Sequence, residues 1–488
     1  MKVLLINPPF KPEFGRFSRT SRSPAITKSG TLYYPFWLAY ATGVLDKEGF
    51  ETKLIDAPAE EYSETKAIEE IKSFNPKLVV IDTSTPSIYS DVKFGARIKS
   101  MLKDVFILLV GTHPSALPEE TLNLDNNIDG IAIGEYDYTV RDLAYVLKDK
   151  VDLNTVDGIV YRKNNRIIFT KPRNLIENLD EIPFVSSVYK KHLDYKKYFE
   201  SMAQYPMIMI ISGRGCPFKC FFCLYPQTFH GNKYRLRSSE NVVAEFEYII
   251  RNFPDVKEIG IEDDTFTANI KRVREICHLL IKKGINRKIK WWANARVNLD
   301  FETMKLMKAA GCRLIIAGFE SGVQSILDNI NKGIKIEQSI QFVKNAKKTK
   351  LLVHGCFMVG NPGETKETML ETLKFAMKLE LDTAQFYPLI PYPGTKAYKW
   401  ALENGYLKTK KYSEWLTEEG LHNTVISFPH LSDRELVEFC NYARRKFYLR
   451  PSYIFKKGIQ SIFSMEEAKR NFKSFKTFAQ YLFKKNNN

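Results

Sequence analysis

The first 215 residues contain no cysteine, and the whole chain of 488 has only seven. A disulfide framework is thereby excluded, since cysteine-stapled domains carry far denser, evenly paired sets. No apolar run approaches the ~20 residues that span a bilayer, the longest being short pieces such as Pro206–Ile211 and Leu314–Phe319, so no transmembrane helix is expected. The opening MKVLLINPPF is too briefly apolar for a signal-peptide core before Pro8 and Pro9 break it, and it reads as an intracellular first strand. No repeat period is visible, and 44% apolar with 26% charged residues excludes a disordered or fibrous chain. No G-x-G-x-x-G follows the first strand, which disfavours a dinucleotide. Acidic residues are in deficit: 73 Lys and Arg against 56 Asp and Glu leave a net charge of +17. Such a surface attracts polyanions, whether nucleic acid, anionic lipid headgroups or phosphorylated substrates, and charge alone does not choose among them.

Residues 1–150 alternate short β-rich runs (Val3–Ile6, Glu51–Ile55, Leu78–Ile81, Val105–Val110, Gly130–Ile133) with longer stretches of helical spacing. That alternation predicts an α/β domain with a mainly parallel, doubly wound sheet. Ligands of such sheets sit beyond the carboxyl ends of the strands. The candidate rim is therefore Asn7-Pro8, Asp56, Thr83-Ser84, Gly111 with His113, and Gly134-Glu135. Ordinary strand-to-helix turns would look the same by pattern alone.

The opening strand ending NPP, the stretch YYPFWLAYATGVLDKEGFETKLIDA, LVGTHPSALPEETL and IDGIAIGEYDYT are similar to the cobalamin-binding domain at the front of one large class of radical S-adenosylmethionine (SAM) enzymes. The resemblance implies that the rim residues hold cobalamin. The better-known cobalamin motif D-x-H-x-x-G occurs nowhere, so no histidine below the cobalt is expected, and His113 beside Pro114 reads as a loop residue.

The clustered thiols come next. A buried-strand signal, Pro206–Ser212, runs into Gly213-Arg214-Gly215 and then Cys216-Pro-Phe-Lys-Cys220-Phe-Phe-Cys223. Three thiolates at C-x3-C-x2-C on one loop suit one face of an iron–sulfur cube, leaving the fourth iron without a protein ligand. Phe218, Phe221 and Phe222 would keep water from it. A structural zinc site would need a fourth ligand, for which His230 is nearest. Cys277, Cys312, Cys356 and Cys440 lack ligand-like spacing and read as small buried hydrophobes.

C-x3-C-x2-C with an aromatic, here Phe222, before the last cysteine resembles the radical SAM signature. The sequence beyond Cys223 resembles a partial (β/α)6 barrel whose strands end in polar or glycine-rich residues, where sites of such barrels form. On that resemblance Asp263 and Asp264 accept from the methionyl amine of SAM, Arg296 and Ser321 meet its carboxylate, Glu320 holds the ribose, and Gly360 and Gly363 let the backbone approach adenine. The chain thus divides into a cobalamin domain (1–150), a linker (151–205), a radical SAM core (206–430) and a basic helical C-terminal segment (431–488). A 4Fe-4S cluster, SAM and cobalamin are the implied cofactors, with an external electron donor of flavodoxin or ferredoxin type.

Methylthiotransferases are disfavoured for want of a second cysteine triad. CLYPQTFHGNKYRLRS, FESGVQSILDNINKG and FMVGNPGETKETMLETLKFA look most like the lipid-modifying branch that includes the hopanoid and calditol cyclitol-forming enzymes. The expected activity is modification of an unactivated carbon of an isoprenoid or membrane lipid, by carbon–carbon bond formation, ring formation or C-methylation. A radical SAM C-methyltransferase of a soluble natural product or peptide is the alternative. A zinc-containing RNA-binding protein is the alternative of another class, although nucleic acid is not the expected partner. The tail interleaves Arg444, Arg445, Lys446, Lys456 and Lys457 with aromatics, and continues from Phe472 to Phe483 among lysines. That pattern suits a helix resting on the inner face of an anionic membrane or a helical cap over the barrel, in an otherwise cytoplasmic protein.

Overall fold

The computed structural model describes residues 1–463 apart from 28 and 165, together with residue 468. The expected aromatic and basic stretch from Phe472 onward lies outside the described residues.

The first sheet is built from β1 (Lys2–Asn7), β2 (Glu51–Asp56), β3 (Leu78–Thr83), β4 (Phe106–Gly111), β5 (Gly130–Ala132), β6 (Ile159–Lys163) and β7 (Arg166–Phe169). Their spatial order is β2-β1-β3-β4-β5-β6-β7, with the first five parallel and the last two antiparallel. Strands covered on both faces need apolar residues at every position, which is why β1 and β3 read as continuous runs and not as alternation. The hairpin β6–β7, expected within the linker, extends this sheet. Its sequence, alternating less regularly, carried too weak a signal to show that its partner was β5.

One face of the sheet, with Val3, Leu5, Val80 and Leu108, packs under helix α1 (Phe36–Lys47) in a core continuous with the second domain. The other face, with Leu4, Ile6, Val79 and Ile81, is completed from the far end of the chain by Tyr392, Tyr412 and Trp415.

The second sheet runs β8 (Met207–Ile210), β9 (Glu258–Ile261), β10 (Lys290–Ala295), β11 (Cys312–Glu320), β12 (Leu352–Val359) and β13 (Thr383–Pro388). All six are parallel and paired in sequence order, the arrangement of a partial (β/α)6 barrel. Gly260 sits opposite Trp292, where a Cβ would come within 2.2 Å of the indole, so the glycine admits the ring. The later helices used below are α2 (Ile336–Thr349), α3 (Lys366–Leu379), α4 (Asp433–Tyr448) and α5 (Pro451–Phe463). Helix α4 covers the outer face of β13, with Phe447 against Phe386 and the Tyr448 hydroxyl donating to the Ala384 carbonyl at 2.8 Å.

The domains are joined by buried polar contacts as well as by core. The Tyr40 hydroxyl of α1 donates to the Ile211 carbonyl and accepts from the Ile211 amide, both at 3.2 Å. Tyr34 reaches the Met207 carbonyl at 2.8 Å. The carboxyl ends of the first sheet are thereby fixed against the cysteine loop.

Candidate functional site

The loop after β8 is held from beneath by Asp263. One of its carboxylate oxygens accepts from the amides of Ser212 and Gly213 at 2.6 and 3.1 Å; the other accepts from the Ser212 and Tyr234 hydroxyls at 2.6 and 3.1 Å. Asp263, expected to receive the SAM amine, is fully engaged in shaping the approach to Cys216. Gly215 follows at φ +86°, and a Cβ there would lie 2.3 Å from the Lys233 carbonyl oxygen. Only glycine lets the loop turn at this point.

Cys216 is buried, with its Sγ 3.7 Å from Thr265 Oγ1, while Cys220 and Cys223 are half-buried. Burial pushes the Cys216 thiol up and the Cys223 thiol well up, with Asp264 and the neighbouring thiols adding to the cost of a thiolate. Thiolates crowded this way need a cationic body among them. The protein supplies an aromatic collar: Phe218 lies under Arg296, whose guanidinium carbon stands 3.6 Å from the ring centroid, and Phe222 lies 5.9 Å from Lys332 Nζ. The Gln227 side-chain amide donates to the Cys223 carbonyl at 2.7 Å, and Asn232 donates to the Cys216 carbonyl at 3.1 Å, which pins both ends of the loop.

Among the described residues no group of three or more His, Cys, Asp or Glu side chains gathers closely enough to hold a single metal ion. A tetrahedral zinc demands four donors around one point. A cube gives each iron its own thiolate, so spaced thiols on one loop suit it. His230, the expected fourth zinc ligand, instead faces Asp264, its Nδ1 3.3 Å from the carboxylate, and stacks on Tyr225.

Burial works against ionising Asp264, but His230 and Arg22 together hold its carboxyl below the usual range. Glu262, whose carboxyl burial pushes up, pairs with Arg22, which also donates to the Asp263 carbonyl at 3.0 Å. Arg296 donates to the Lys332 and Gly333 carbonyls. Glu320, at φ +61° beside a register shift in β11, pairs with Lys332 Nζ at 2.6 Å. Ser321 lies 3.0 Å from the Thr372 hydroxyl and accepts from the Val323 amide at 3.1 Å. Gly360 packs against Leu436 and Gly363 against Asn329.

Strand alternation sets the barrel interior. Ala384 and Phe386 turn outward to α4, so Thr383, Gln385 and Tyr387 turn inward. Cys277, Cys312 and Cys440 are buried as expected, whereas Cys356, in register with Gln385 on the neighbouring strand, is half-buried on the inward face. Burial and Glu320 push its thiol up to about 12. Period-two alternation along β12 would have found it. Glu200 also belongs here, its carboxyl raised to about 7 by burial and by Glu262.

At the ends of the first sheet the expected rim residues are largely tied to one another. The Asn7 amide donates to Asp56 at 2.8 Å, and its carbonyl oxygen accepts from Arg19 at 2.8 Å, as does the Pro8 carbonyl at 2.6 Å. Arg19 is fully buried in an ion pair with Asp91 at 2.6 Å. Asp56 also accepts from Tyr198 at 2.9 Å, and burial raises its carboxyl to about 6. Thr83 donates to the Val110 carbonyl at 2.7 Å, and Ser84 Oγ lies 2.8 Å from Ser87 Oγ. Gly111 takes φ +120°, where a Cβ would lie 2.4 Å from the Thr83 carbonyl oxygen.

His113 is not on an open loop. It lies buried in a short helix, Thr112–Ala116, with Nδ1 3.2 Å from the Thr85 hydroxyl and Nε2 unpartnered, edge-on to Tyr412. Burial lowers its pKa to about 3, so the ring is neutral. The Gly134 amide donates to Ser115 at 2.9 Å. Glu135 is engaged across the domain boundary: both its oxygens accept from Arg235, just after the cysteine loop, while Arg214 stands 3.6 Å away. Arg19, Arg22, Tyr198 and Glu262 escaped the sequence reading because their partners lie in distant segments. The clustered arginines in FSRTSR were the one local signal.

Residues 22–144 match the B12 binding domain family and residues 210–376 the Radical SAM superfamily. An uncharacterized methyltransferase of Pyrococcus horikoshii is 34% identical over 457 residues, 93% of this chain and 94% of that protein. The anaerobic magnesium-protoporphyrin IX monomethyl ester cyclase of Rubrivivax gelatinosus is 28% identical over 86% of this chain and 74% of its own. The radical SAM methyltransferase TsrM of Kitasatospora setae, solved with cobalamin and a [4Fe-4S] cluster, superposes with a TM-score of 0.69 at 18% identity, covering 92% of this chain and 89% of that one. With a B12-binding domain set against a radical SAM core that carries the cysteine triad, the chain belongs to the cobalamin-dependent radical SAM enzymes.

Proposed function

We propose that the protein is a C-methyltransferase acting on an unactivated carbon. The observation that carries this reading is the fixed opposition of the two cofactor regions: Arg214, next to the cysteine loop, is ion-paired with Asp137 of the B12-binding domain. Similarity to a relative named as a methyltransferase supports the same reaction. With cluster, SAM and cobalamin bound, the site supplies a radical that takes hydrogen from carbon and a methyl group that replaces it.

The protein's own residues then have distinct tasks. Cys216, Cys220 and Cys223 hold the cluster, and the phenylalanine collar excludes water. Asp264 and Glu262 accept from the methionyl amine, because Asp263 has no acceptor position left. Arg296 and Lys332 meet the carboxylate, Glu320 the ribose, and the strand-end turns at Ser321 and Gly360–Gly363 border the adenosyl group. Asn7, Pro8, Asp56, Thr83, Ser84, Gly111, His113 and Gly134 would hold cobalamin, with Glu135, paired to Arg235, at the border of that site. The half-open interior with Glu200, Cys356, Gln385 and Tyr387 suits a substrate that carries polar groups near the reacting carbon. An acidic one-electron donor of flavodoxin or ferredoxin type matches the +17 charge.

A lipid or isoprenoid substrate is the second reading. It is favoured by one feature of the structure, an exposed apolar stripe on α5.

Anaerobic reconstitution with iron, sulfide, cobalamin, reductant and SAM tests the proposal. S-adenosylhomocysteine together with 5′-deoxyadenosine and methionine is the expected yield, and a total lipid and metabolite comparison of cells with and without the gene identifies the product. Gain of one CH2 by a metabolite supports methylation. Loss of two hydrogens from a lipid replaces it with ring closure.

A further inference from the structure

Helix α5 is oriented opposite to an ordinary surface helix. Its inward face is polar: the Tyr453 hydroxyl donates to the Asp382 carbonyl at 2.9 Å, Lys457 Nζ reaches Gln460 at 2.7 Å and Asp382 at 3.4 Å, and Lys456 donates to the Glu380 carbonyl at 3.2 Å. Its outward face is apolar. Ile454 is 55% exposed, Phe455 72%, Ile459 41% and Ile462 80%. Phe455, Ile459 and Ile462 follow one another by about one turn and form a stripe along the helix, with Ile454 flanking it. Leu449, just after α4, and Tyr442 of α4 are also exposed. Single exposed apolar residues are unremarkable, but a contiguous patch marks an interaction surface.

Charge selects the partner. Arg445 and Lys446 stand exposed in the last turn of α4, the helix that leads into α5. Residues 464–488 carry six lysines and arginines against two glutamates. A second copy of the chain would bring cationic rims together within a protein of net charge +17, and the chain's own remaining residues would add cations to cations. An anionic bilayer opposes neither. An apolar helix face rimmed by Lys and Arg is the composition of an interfacial membrane helix.

We propose that α5 docks the protein on an anionic membrane, with Ile454, Phe455, Ile459 and Ile462 entering the interfacial layer and Arg445 and Lys446 lying over the headgroups. Four apolar side chains and a few cations give reversible attachment, weakened by salt. The inference is independent of the reaction assigned above. It also gives α5 a purpose that a cap over the barrel would not require, since a cap turns its apolar face inward.

The test is flotation of the full chain with phosphatidylcholine vesicles with and without phosphatidylglycerol. Binding to the anionic vesicles alone, falling as salt rises, is expected. The Phe455→Ser/Ile459→Ser/Ile462→Ser variant should lose at least about tenfold in partitioning while cleaving SAM in vesicle-free buffer as the parent does. Equal binding by parent and variant, or no binding by the parent, overturns the proposal and leaves the methyltransferase reading standing. A concentration-dependent dimer abolished by the variant overturns it in favour of a second copy. A Phe472→Ser/Phe475→Ser/Phe478→Ser chain that binds vesicles more tightly overturns it in favour of an intramolecular cover.

Discussion

Arg214, two residues before Cys216, donates to both carboxylate oxygens of Asp137 in the B12-binding domain, at 2.7 and 3.0 Å. Both side chains are almost fully buried. Asp137 lies in the first turn of its helix, Asp137–Asp149, where a negative charge is also favoured by the backbone dipole. The cysteine loop is thereby registered against the other domain by a charge pair that water does not screen.

Removing Asp137 leaves the buried Arg214 with only the more distant Glu135, at 3.6 Å, so the loss approaches the roughly 3–5 kcal/mol of a broken buried pair. Asp137→Ala should therefore lower the melting temperature markedly, whereas the double variant Asp137→Ala/Arg214→Met should recover part of the loss. Differential scanning calorimetry of both variants checks the sign; an additive double variant would show the two groups to be uncoupled.

Cysteine substitution separates cluster from fold. Cys216→Ala, Cys220→Ala and Cys223→Ala should each lose reconstituted iron and all SAM cleavage while retaining cobalamin, since the three thiols lie on the loop after β8 and not at the strand ends of the first sheet. Iron, sulfide and cobalt analysis on the same desalted samples reads both outcomes.

Gly215→Ala places a methyl group against the Lys233 carbonyl at a positive φ. Left-handed backbone alone costs a non-glycine residue roughly 1–2 kcal/mol, and the contact adds to it. Slower and incomplete cluster assembly is expected, visible as reduced iron–sulfide absorbance at unchanged cobalamin content.

The sign of pH dependence follows from Asp82, whose carboxyl burial raises to about 7 against the opposing Arg19. The unfolded chain gives up this proton near the ordinary pKa of about 3.9, the folded chain only near 7. The folded state therefore holds the extra proton between those values, and stability falls as pH rises from about 4 to 7. Asp56, raised to about 6, and Glu200, raised to about 7, add in the same direction. Urea unfolding of the cofactor-free chain should give a lower free energy at pH 8 than at pH 5, and Asp82→Asn should narrow that gap. An unchanged gap would show that Asp82 is not its source.

Local chemistry explains how much could be read beforehand. The parallel strands were legible because their apolar runs are short, continuous and bounded by turns, and the cysteine triad because its spacing lies within one loop. The engagement of Asp263 was hidden for the opposite reason: its partners Ser212, Gly213 and Tyr234 come from two other segments, so sequence shows an acid at a strand end and not the four donors around it. Glu135 was read as ligand rim and is paired to Arg235 a hundred positions on. Hydrophobic period survives in the sequence, whereas the pairing of isolated charges is written only in the fold.

His113 offers a decisive test of what lies beneath the cobalt. His113→Ala should retain cobalamin after anaerobic loading and desalting, because the ring is held between Thr85 and Tyr412. Loss of cobalt from an intact fold would identify its unpartnered Nε2 as an axial ligand.

Tyr412 and Trp415 finish the hydrophobic layer beneath β1 and β3, although they are synthesised after the entire barrel. Ile68, Val92 and Ile98 of the first domain already cover much of that face, but the layer is finished only when residues 412–415 have emerged. Chain order thus makes the core of the B12-binding domain depend on a segment made after the barrel, so a truncation before Tyr412 would leave both domains incomplete.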